Sequence, residues 1–159
     1  MLTNVLVSYG TTNGSTAEIA EVIAEVLRKD GLTGDALPAR SVPNAAPYDA
    51  VVVGGLYAGR WHRDARRFAR RHGKVLAERP LWFLSSGLLA PSASERDIPP
   101  VPGVKKAMVR LDAREHVTFG GCLREGAKGW VAGNGKCGDF RDFDQIKAWA
   151  AWIGQELTS

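Results

Sequence analysis

Six small polar residues fill the turn between an apolar run and an amphipathic segment near the start of the chain. They are Thr11, Thr12, Asn13, Gly14, Ser15 and Thr16. Hydroxyl and amide groups donate hydrogen bonds to phosphate oxygens, and a glycine among them lets the backbone approach an anion closely. No lysine occurs between Met1 and Arg28, so neutral side chains and backbone N–H groups would have to bind the anion. The spacing therefore predicts a site for a terminal monophosphate.

The elements on either side of this turn would hold it at the end of a strand and the start of a helix. Residues 5–7 are a short apolar run that predicts a buried parallel strand. A helix is expected from about residue 15 to residue 30, because apolar residues recur with helical spacing at Ile19, Val22, Ile23, Val26 and Leu27. The first turn of such a helix offers free N–H groups and a positive dipole end to an anion. The simpler alternative is an ordinary connection in which Ser15 or Asn13 caps the helix.

Two common nucleotide motifs do not fit this turn. A P-loop needs GxxxxGK[ST], which requires a lysine, and a dinucleotide fingerprint needs GxGxxG. Gly10 and Gly14 are four residues apart, so neither pattern is present. The turn is therefore of another kind.

The rest of the chain alternates strand and helix signals. Further strands are expected at residues 33–39, 50–55, 81–89 and 116–121, and further helices at residues 63–77, at residues 104–111 and after Asp142. Asp142 and Gln145 have the spacing of a capping box for the last helix. Such alternation predicts one α/β domain over residues 1–159, with helices on both faces of a five-stranded parallel sheet of order 2-1-3-4-5.

The sequence YGTTNGST resembles the FMN phosphate loop of flavodoxins, whose pattern is roughly [ST]-x-[ST]-G-x-T. Thr11, Asn13, Gly14 and Thr16 occupy its main positions, although Asn13 stands where that family has a hydroxyl residue. The resemblance implies a flavodoxin-like three-layer sandwich and FMN as the cofactor. Phosphate-receiving regulators share this fold, but they need an acidic cluster after the first strand, which this sequence lacks.

Two other strand ends extend the resemblance. The stretch GGLYAGRWH is similar to the corresponding stretch of bacterial quinone-dependent protoporphyrinogen dehydrogenases, which are flavodoxin-like enzymes. The resemblance implies that the flavin ring would be framed by Tyr57, Ala58, Gly59, Ser86, Gly87 and Leu88. Tyr57 and Trp61 have an alternative role as surface or helix-cap aromatics.

The positive charge of the chain is concentrated in one segment. From Arg60 to Lys74 there are seven cations and one acid, a net charge of +6 against +4 for the whole chain. We expect Arg60, Trp61, His62 and Arg63 to meet a substrate or partner. The segment suits a redox substrate with carboxylates, an acidic protein partner or an anionic membrane surface. A merely solvated helix face is an equal alternative, and nucleic acid is not indicated.

Composition and length set the remaining expectations. With 159 residues, 45% of them hydrophobic and 24% charged, the chain has the composition of a globular domain. No apolar run reaches the roughly 18 residues of a membrane span, so we expect a cytoplasmic protein that could sit peripherally at the inner membrane face. We also expect Cys122 and Cys137 to be reduced thiols, and we expect no metal site. The Gly-rich stretch from Cys122 to Arg141 is a candidate lid.

These features lead to one main hypothesis and two alternatives. The main hypothesis is an FMN-dependent oxidoreductase, similar to the protoporphyrinogen dehydrogenases of heme biosynthesis, with a quinone as electron acceptor. Those enzymes carry a longer insertion after the fifth strand, and the stretch from Cys122 to Arg141 is shorter. The alternatives are a non-enzymatic FMN electron carrier and a flavin-free binding module that docks through the basic helix.

Overall fold

The computed structural model describes residues 3–11, 14–56, 61–88, 102–120, 122–123, 138–139 and 141–158. Five parallel strands form a sheet in the order β2-β1-β3-β4-β5, which confirms the predicted topology. These strands are β1 (Asn4–Gly10), β2 (Thr33–Pro38), β3 (Ala50–Leu56), β4 (Leu81–Leu88) and β5 (Glu115–Gly120). Two short antiparallel strands, β6 (Cys122–Leu123) and β7 (Gly138–Asp139), pair within the predicted lid, most of which lies outside the described residues.

Five helices cover the two faces of the sheet within the described ranges. They are α1 (Ser15–Lys29), α2 (Arg63–Arg71), α3 (Gly73–Leu76), α4 (Pro102–Leu111) and α5 (Phe143–Thr158). Alternate residues of β1 face opposite sides, so Val5 and Val7 pack with α1 and α5, whereas Leu6 packs with α2, α3 and α4. The sheet is buried on both faces, which explains the unbroken apolar runs of its central strands.

The predicted helix over residues 63–77 is interrupted at His72. Residues 63–71 form α2, and the four-residue α3 begins at Gly73, a poor helix former. The His72 ring is buried and lies 4.6 Å from the Phe68 ring, centroid to centroid, so it packs into the core beneath α2. The interruption leaves the basic residues of α2 on a helix of nine residues.

The start of α5 is capped as predicted, but only in part. The Asp142 Oδ1 atom accepts hydrogen bonds from the N–H groups of Asp144 and Gln145, both at 3.1 Å. The Gln145 Oε1 atom is buried without a hydrogen-bond partner, so the return bond of a capping box does not form. Across the described residues, none of the helices has the length and apolar character needed to cross a membrane.

Candidate functional site

The turn after β1 presents an open helix N-terminus. The first helical hydrogen bond of α1 joins the Glu18 N–H to the Gly14 carbonyl at 3.2 Å, so the N–H groups before Glu18 in α1 have no acceptor within the helix. Gly14 occupies the N-cap position and provides no side-chain cap. Backbone donors at a helix N-terminus, beside the positive end of the helix dipole, are suited to binding an anion.

Gly14 is required here by its backbone conformation. Its φ and ψ of 86° and −5° lie in the left-handed region, which glycine adopts without the steric cost that a Cβ atom brings. An added Cβ would meet no heavy atom within 4 Å, so packing does not explain the glycine. The Thr11 Oγ1 atom accepts a hydrogen bond from the Gly14 N–H at 3.2 Å and so helps to hold this turn.

Two predicted site residues, Thr16 and Ser86, bond directly to each other. Both side chains are fully buried, and their hydroxyl oxygens lie 2.7 Å apart. This bond fastens the first turn of α1 to β4. We expected Thr16 at a phosphate and Ser86 at a ring edge, and a hydroxyl group, with one donor and two acceptor positions, can make a further hydrogen bond beside this one. The contact of Thr16 with β4 therefore holds the start of α1 against the sheet.

A buried cation also reaches the first turn of α1. The Arg141 Nη1 atom donates to the Glu18 carboxylate at 2.9 Å, and the Arg141 side chain is only 2% exposed. Its guanidinium carbon lies 5.0 Å from the centre of the Phe143 ring. This contact joins residues 123 positions apart, so no local pattern in the sequence could have revealed it.

The other face of β4 carries a second buried polar pair. The Ser85 Oγ atom and the His116 Nε2 atom are 2.8 Å apart, and both residues are less than a tenth exposed. The pair forms because Ser85 lies opposite Thr118 on β5, two residues beyond His116. Sequence reasoning missed this pair, since it depends on the register of two strands.

Trp61, which we expected to meet a substrate or partner, is largely buried in the core. Its side chain is 3% exposed, its indole N–H donates to the Leu84 carbonyl at 3.1 Å, and its ring centre lies 5.0 Å from that of Phe83. The indole covers Gly55, where an added Cβ would lie 2.3 Å from its Nε1 atom. Because Gly55 has no side chain, the Trp61 indole packs directly on β3 and so holds the start of α2 against the sheet.

His62 caps α2, and Arg63 points to solvent beside it. The His62 Nδ1 atom accepts the Asp64 N–H at 3.1 Å, which requires an unprotonated nitrogen, so the 4.0 Å approach of the Asp64 carboxylate is not an ion pair. Burial lowers the pKa of His62, with Arg63, Arg66 and Arg40 adding to the effect and Asp64 opposing it. The Arg63 side chain is exposed and lies 4.0 Å from the Asp64 carboxylate.

Several predicted site residues lie outside the described residues. These are Thr12, Asn13, Tyr57, Ala58, Gly59 and Arg60. The backbone of Ser15 begins α1, and the backbones of Gly87 and Leu88 continue β4, where the pairing register shifts between Ser86 and Leu88. The structure therefore defines the phosphate side of the predicted site more fully than the ring side.

Comparisons with known proteins agree with this architecture. Over 94 residues the chain is 30% identical to the quinone-dependent protoporphyrinogen IX dehydrogenase of Escherichia coli K12, a match that covers 57% of this chain. The match spans 52% of that relative, so the chain covers about half the length of the curated relatives that it matches.

Solved structures share the fold at low sequence identity. Rubredoxin:oxygen oxidoreductase from Desulfovibrio gigas superposes with a TM-score of 0.65 and 14% identity, over 97% of this chain and 36% of its own. A flavodoxin from the domain Archaea gives a TM-score of 0.63 and 12% identity, over 98% of this chain and 99% of its own. The flavodoxin domain model matches residues 6–131, which is most of the sequence. The chain therefore belongs to the flavodoxin domain family.

Proposed function

We propose that this protein binds FMN and exchanges electrons through it, with the FMN phosphate held by the turn from Thr11 to Thr16. One observation carries the proposal: α1 begins directly beyond β1 with open N–H groups and a left-handed glycine as its cap. Neutral donors and a helix dipole suit a terminal monophosphate. Members of the matching family bind flavin, which agrees with this donor set.

The residues of the chain would divide the work of holding the cofactor. Thr11 and Gly14 would shape the phosphate turn, with donors from Thr12, Asn13 and Ser15, while the bond between Thr16 and Ser86 keeps α1 in place. Ring contacts are proposed for Tyr57, Ala58, Gly59, Gly87 and Leu88. The bound flavin would supply the redox chemistry, while the residues of the chain bind and orient it.

We further propose that the protein is an oxidoreductase that takes electrons from a reduced organic substrate and delivers them to a quinone. The similarity to a quinone-dependent protoporphyrinogen IX dehydrogenase supports this reaction class, and a tetrapyrrole of heme biosynthesis is the substrate that it suggests. Arg60 and Arg63 would meet the carboxylates of such a substrate. A non-enzymatic FMN electron carrier is the second candidate, supported by the basic face of α2 as a docking surface.

The first experiment compares FMN with riboflavin, which lacks the phosphate. Each is titrated into the purified protein, and quenching of flavin fluorescence gives the dissociation constant. We expect FMN to bind at least about 10-fold more tightly, since one hydrogen bond to a charged group contributes roughly 1.5–3 kcal/mol. Equal affinities would contradict the phosphate assignment. A folded protein that binds neither compound would be a flavin-free binding module.

The second experiment distinguishes the enzyme from the carrier. The FMN-loaded protein is mixed with protoporphyrinogen and a soluble quinone, and formation of protoporphyrin is followed by fluorescence against a protein-free control. Accelerated, quinone-dependent oxidation supports the enzyme. Loaded protein that accepts electrons from a chemical reductant but oxidises no protoporphyrinogen supports the carrier instead.

A further inference from the structure

A small groove lies between α2 and α4, on the face of the sheet opposite α1. Its volume is about 140 Å³. It is lined by Trp61, Arg66, Ala69, Arg70, Gly103, Ala107 and Arg110. Three guanidinium groups thus surround a mostly apolar floor. The residues of α4 add to a basic surface that the sequence indicated only on α2.

In the part of the chain that the structure describes, no acid is paired with the three arginines of the groove. Within the described residues, no carboxylate lies within 4.0 Å of the Arg66, Arg70 or Arg110 guanidinium. The Arg66 Nε atom donates to the Trp61 carbonyl at 3.0 Å, which fixes that side chain at the rim. The acid of α2, Asp64, lies beside Arg63 instead. Uncompensated guanidinium groups attract carboxylates from solution.

The floor of the groove would strengthen a carboxylate contact. Trp61, Ala69 and Ala107 are each less than a tenth exposed and present no charge. A carboxylate seated over them loses part of its contact with water, and charge pairs are stronger where the effective dielectric constant is lower. The guanidinium fork also matches the two oxygens of a carboxylate.

The size of the groove and the extent of the surrounding charge indicate a protein side chain rather than a free small molecule. Small-molecule pockets usually enclose about 300–1,000 Å³, whereas this groove has about 140 Å³. The helices α2, α3 and α4 carry further exposed cations outside the groove, at Arg63, Arg67, Arg71, Lys74, Lys105 and Lys106. Val109 on α4, which is 79% exposed, adds an apolar contact beside them. A small carboxylate would use only the groove, whereas an acidic protein segment would use the whole face.

We propose that this basic face docks a partner protein through an acidic segment, with one aspartate or glutamate side chain seated in the groove. Docking itself does not require a flavin. The helices α2 and α4 both begin at the carboxyl edge of the sheet, so a docked partner would lie beside the flavin-binding edge. That last consequence rests on the proposed function.

The test uses a fluorescein-labelled hexaglutamate peptide and fluorescence anisotropy, with the full chain at low ionic strength. Arg70→Gln and Arg110→Gln should each weaken binding about 10-fold, as expected for a lost hydrogen bond to a charged group. Arg67→Gln removes the same charge from α2 outside the groove and should weaken binding only about 2-fold, as expected for a surface pair. Lys147→Gln on α5, across the sheet, should leave the affinity unchanged.

A charge-neutral variant isolates the shape of the groove. Ala107→Leu fills part of the groove without altering charge and should weaken peptide binding by about 10-fold. Circular dichroism checks that each variant is folded. If Ala107→Leu does not fold, the arginine variants alone test the proposal. If Arg67→Gln and Arg70→Gln weaken binding equally, the peptide does not place a side chain in the groove but binds the basic surface without a defined position, which would overturn the proposal.

Two further outcomes would also overturn the proposal. One is no measurable peptide binding by the folded protein. The other is stronger binding to vesicles containing phosphatidylglycerol, or to a single-stranded oligonucleotide, than to hexaglutamate. Loss of flavin binding with intact peptide binding would count against the proposed function alone, so the two proposals fail independently.

Discussion

Replacing Gly14 and Gly31 by alanine, one at a time, gives a matched test of the anion-binding turn. Both glycines have a left-handed backbone, with φ of 86° at Gly14 and 91° at Gly31. An added Cβ would meet nothing within 4 Å at either position. The two residues flank α1, but only Gly14 lies at its N-terminus. The substitutions therefore impose the same backbone strain at opposite ends of one helix.

General values for backbone strain and for hydrogen bonds to charged groups set the expected magnitudes. A left-handed alanine costs roughly 1–2 kcal/mol, so both variants should lose about that much unfolding free energy. At Gly14 the strain also acts on the turn that presents the α1 N–H groups, and the loss of one hydrogen bond to phosphate is worth about 1.5–3 kcal/mol. The FMN dissociation constant of Gly14→Ala should therefore rise at least about 10-fold, and that of Gly31→Ala should not change.

Two assays check this expectation. Urea unfolding without flavin gives the stability of each variant, because bound ligand would otherwise add to the apparent value. Fluorescence titrations then give the dissociation constants for FMN and riboflavin. Gly14→Ala should lose affinity for FMN while keeping its affinity for riboflavin. The reasoning is refuted if the folded Gly14→Ala and Gly31→Ala proteins bind FMN equally well.

Three other predictions concern the supports of the site. Thr16→Val and Ser86→Ala should each lower the free energy of unfolding, measured in urea, by about 1–3 kcal/mol. The double variant should lose less than the sum of the two single losses, and additive losses would exclude the buried hydroxyl bond. Because burial lowers the pKa of folded His62, the unfolded state binds more protons and stability should fall as pH drops below about 6.5. His62→Asn keeps a capping side chain and should reduce the loss of stability at low pH. An unchanged dependence of stability on pH would show that His62 is not the group responsible. Gly55→Ala would place a methyl group against the Trp61 indole, so it should lower the free energy of unfolding by about 3 kcal/mol and shift the fluorescence of Trp61. Unchanged stability would contradict the contact between Gly55 and Trp61.

The fold could be predicted from the sequence because its signals are local. The apolar positions of α1 have the period of a helix, and the unbroken apolar run of β3 has the character of a strand buried on both faces. Alternation of such elements, together with the right-handed crossover rule, leaves few sheet orders. The small polar turn before α1 was visible for the same reason, since all its residues are neighbours in sequence.

The placement of individual side chains could not be predicted, because it depends on contacts between distant residues. Trp61 follows β3 as an exposed ligand contact would, but the missing side chain of Gly55 lets its indole turn inward. Thr16 bonds to Ser86 across 70 positions, and Ser85 bonds to His116 across 31. Local periodicity carries no information about either pair. Sheet order is required before such pairs can be proposed.

The two anion-attracting features differ in the physics of their attraction. At the start of α1 the hydrogen-bond donors are neutral, and Glu18 balances the charge of Arg141. The attraction of this turn for an anion therefore extends little beyond hydrogen-bonding distance. Within the described residues, Arg66, Arg70 and Arg110 have no carboxylate within 4.0 Å, and their field reaches about 10 Å at 0.1 M salt. The features lie on opposite faces of the sheet, because α1 packs on one face and α2 and α4 on the other. Under the two proposals, an acidic partner would therefore be drawn to the basic face without competing for a phosphate held at α1.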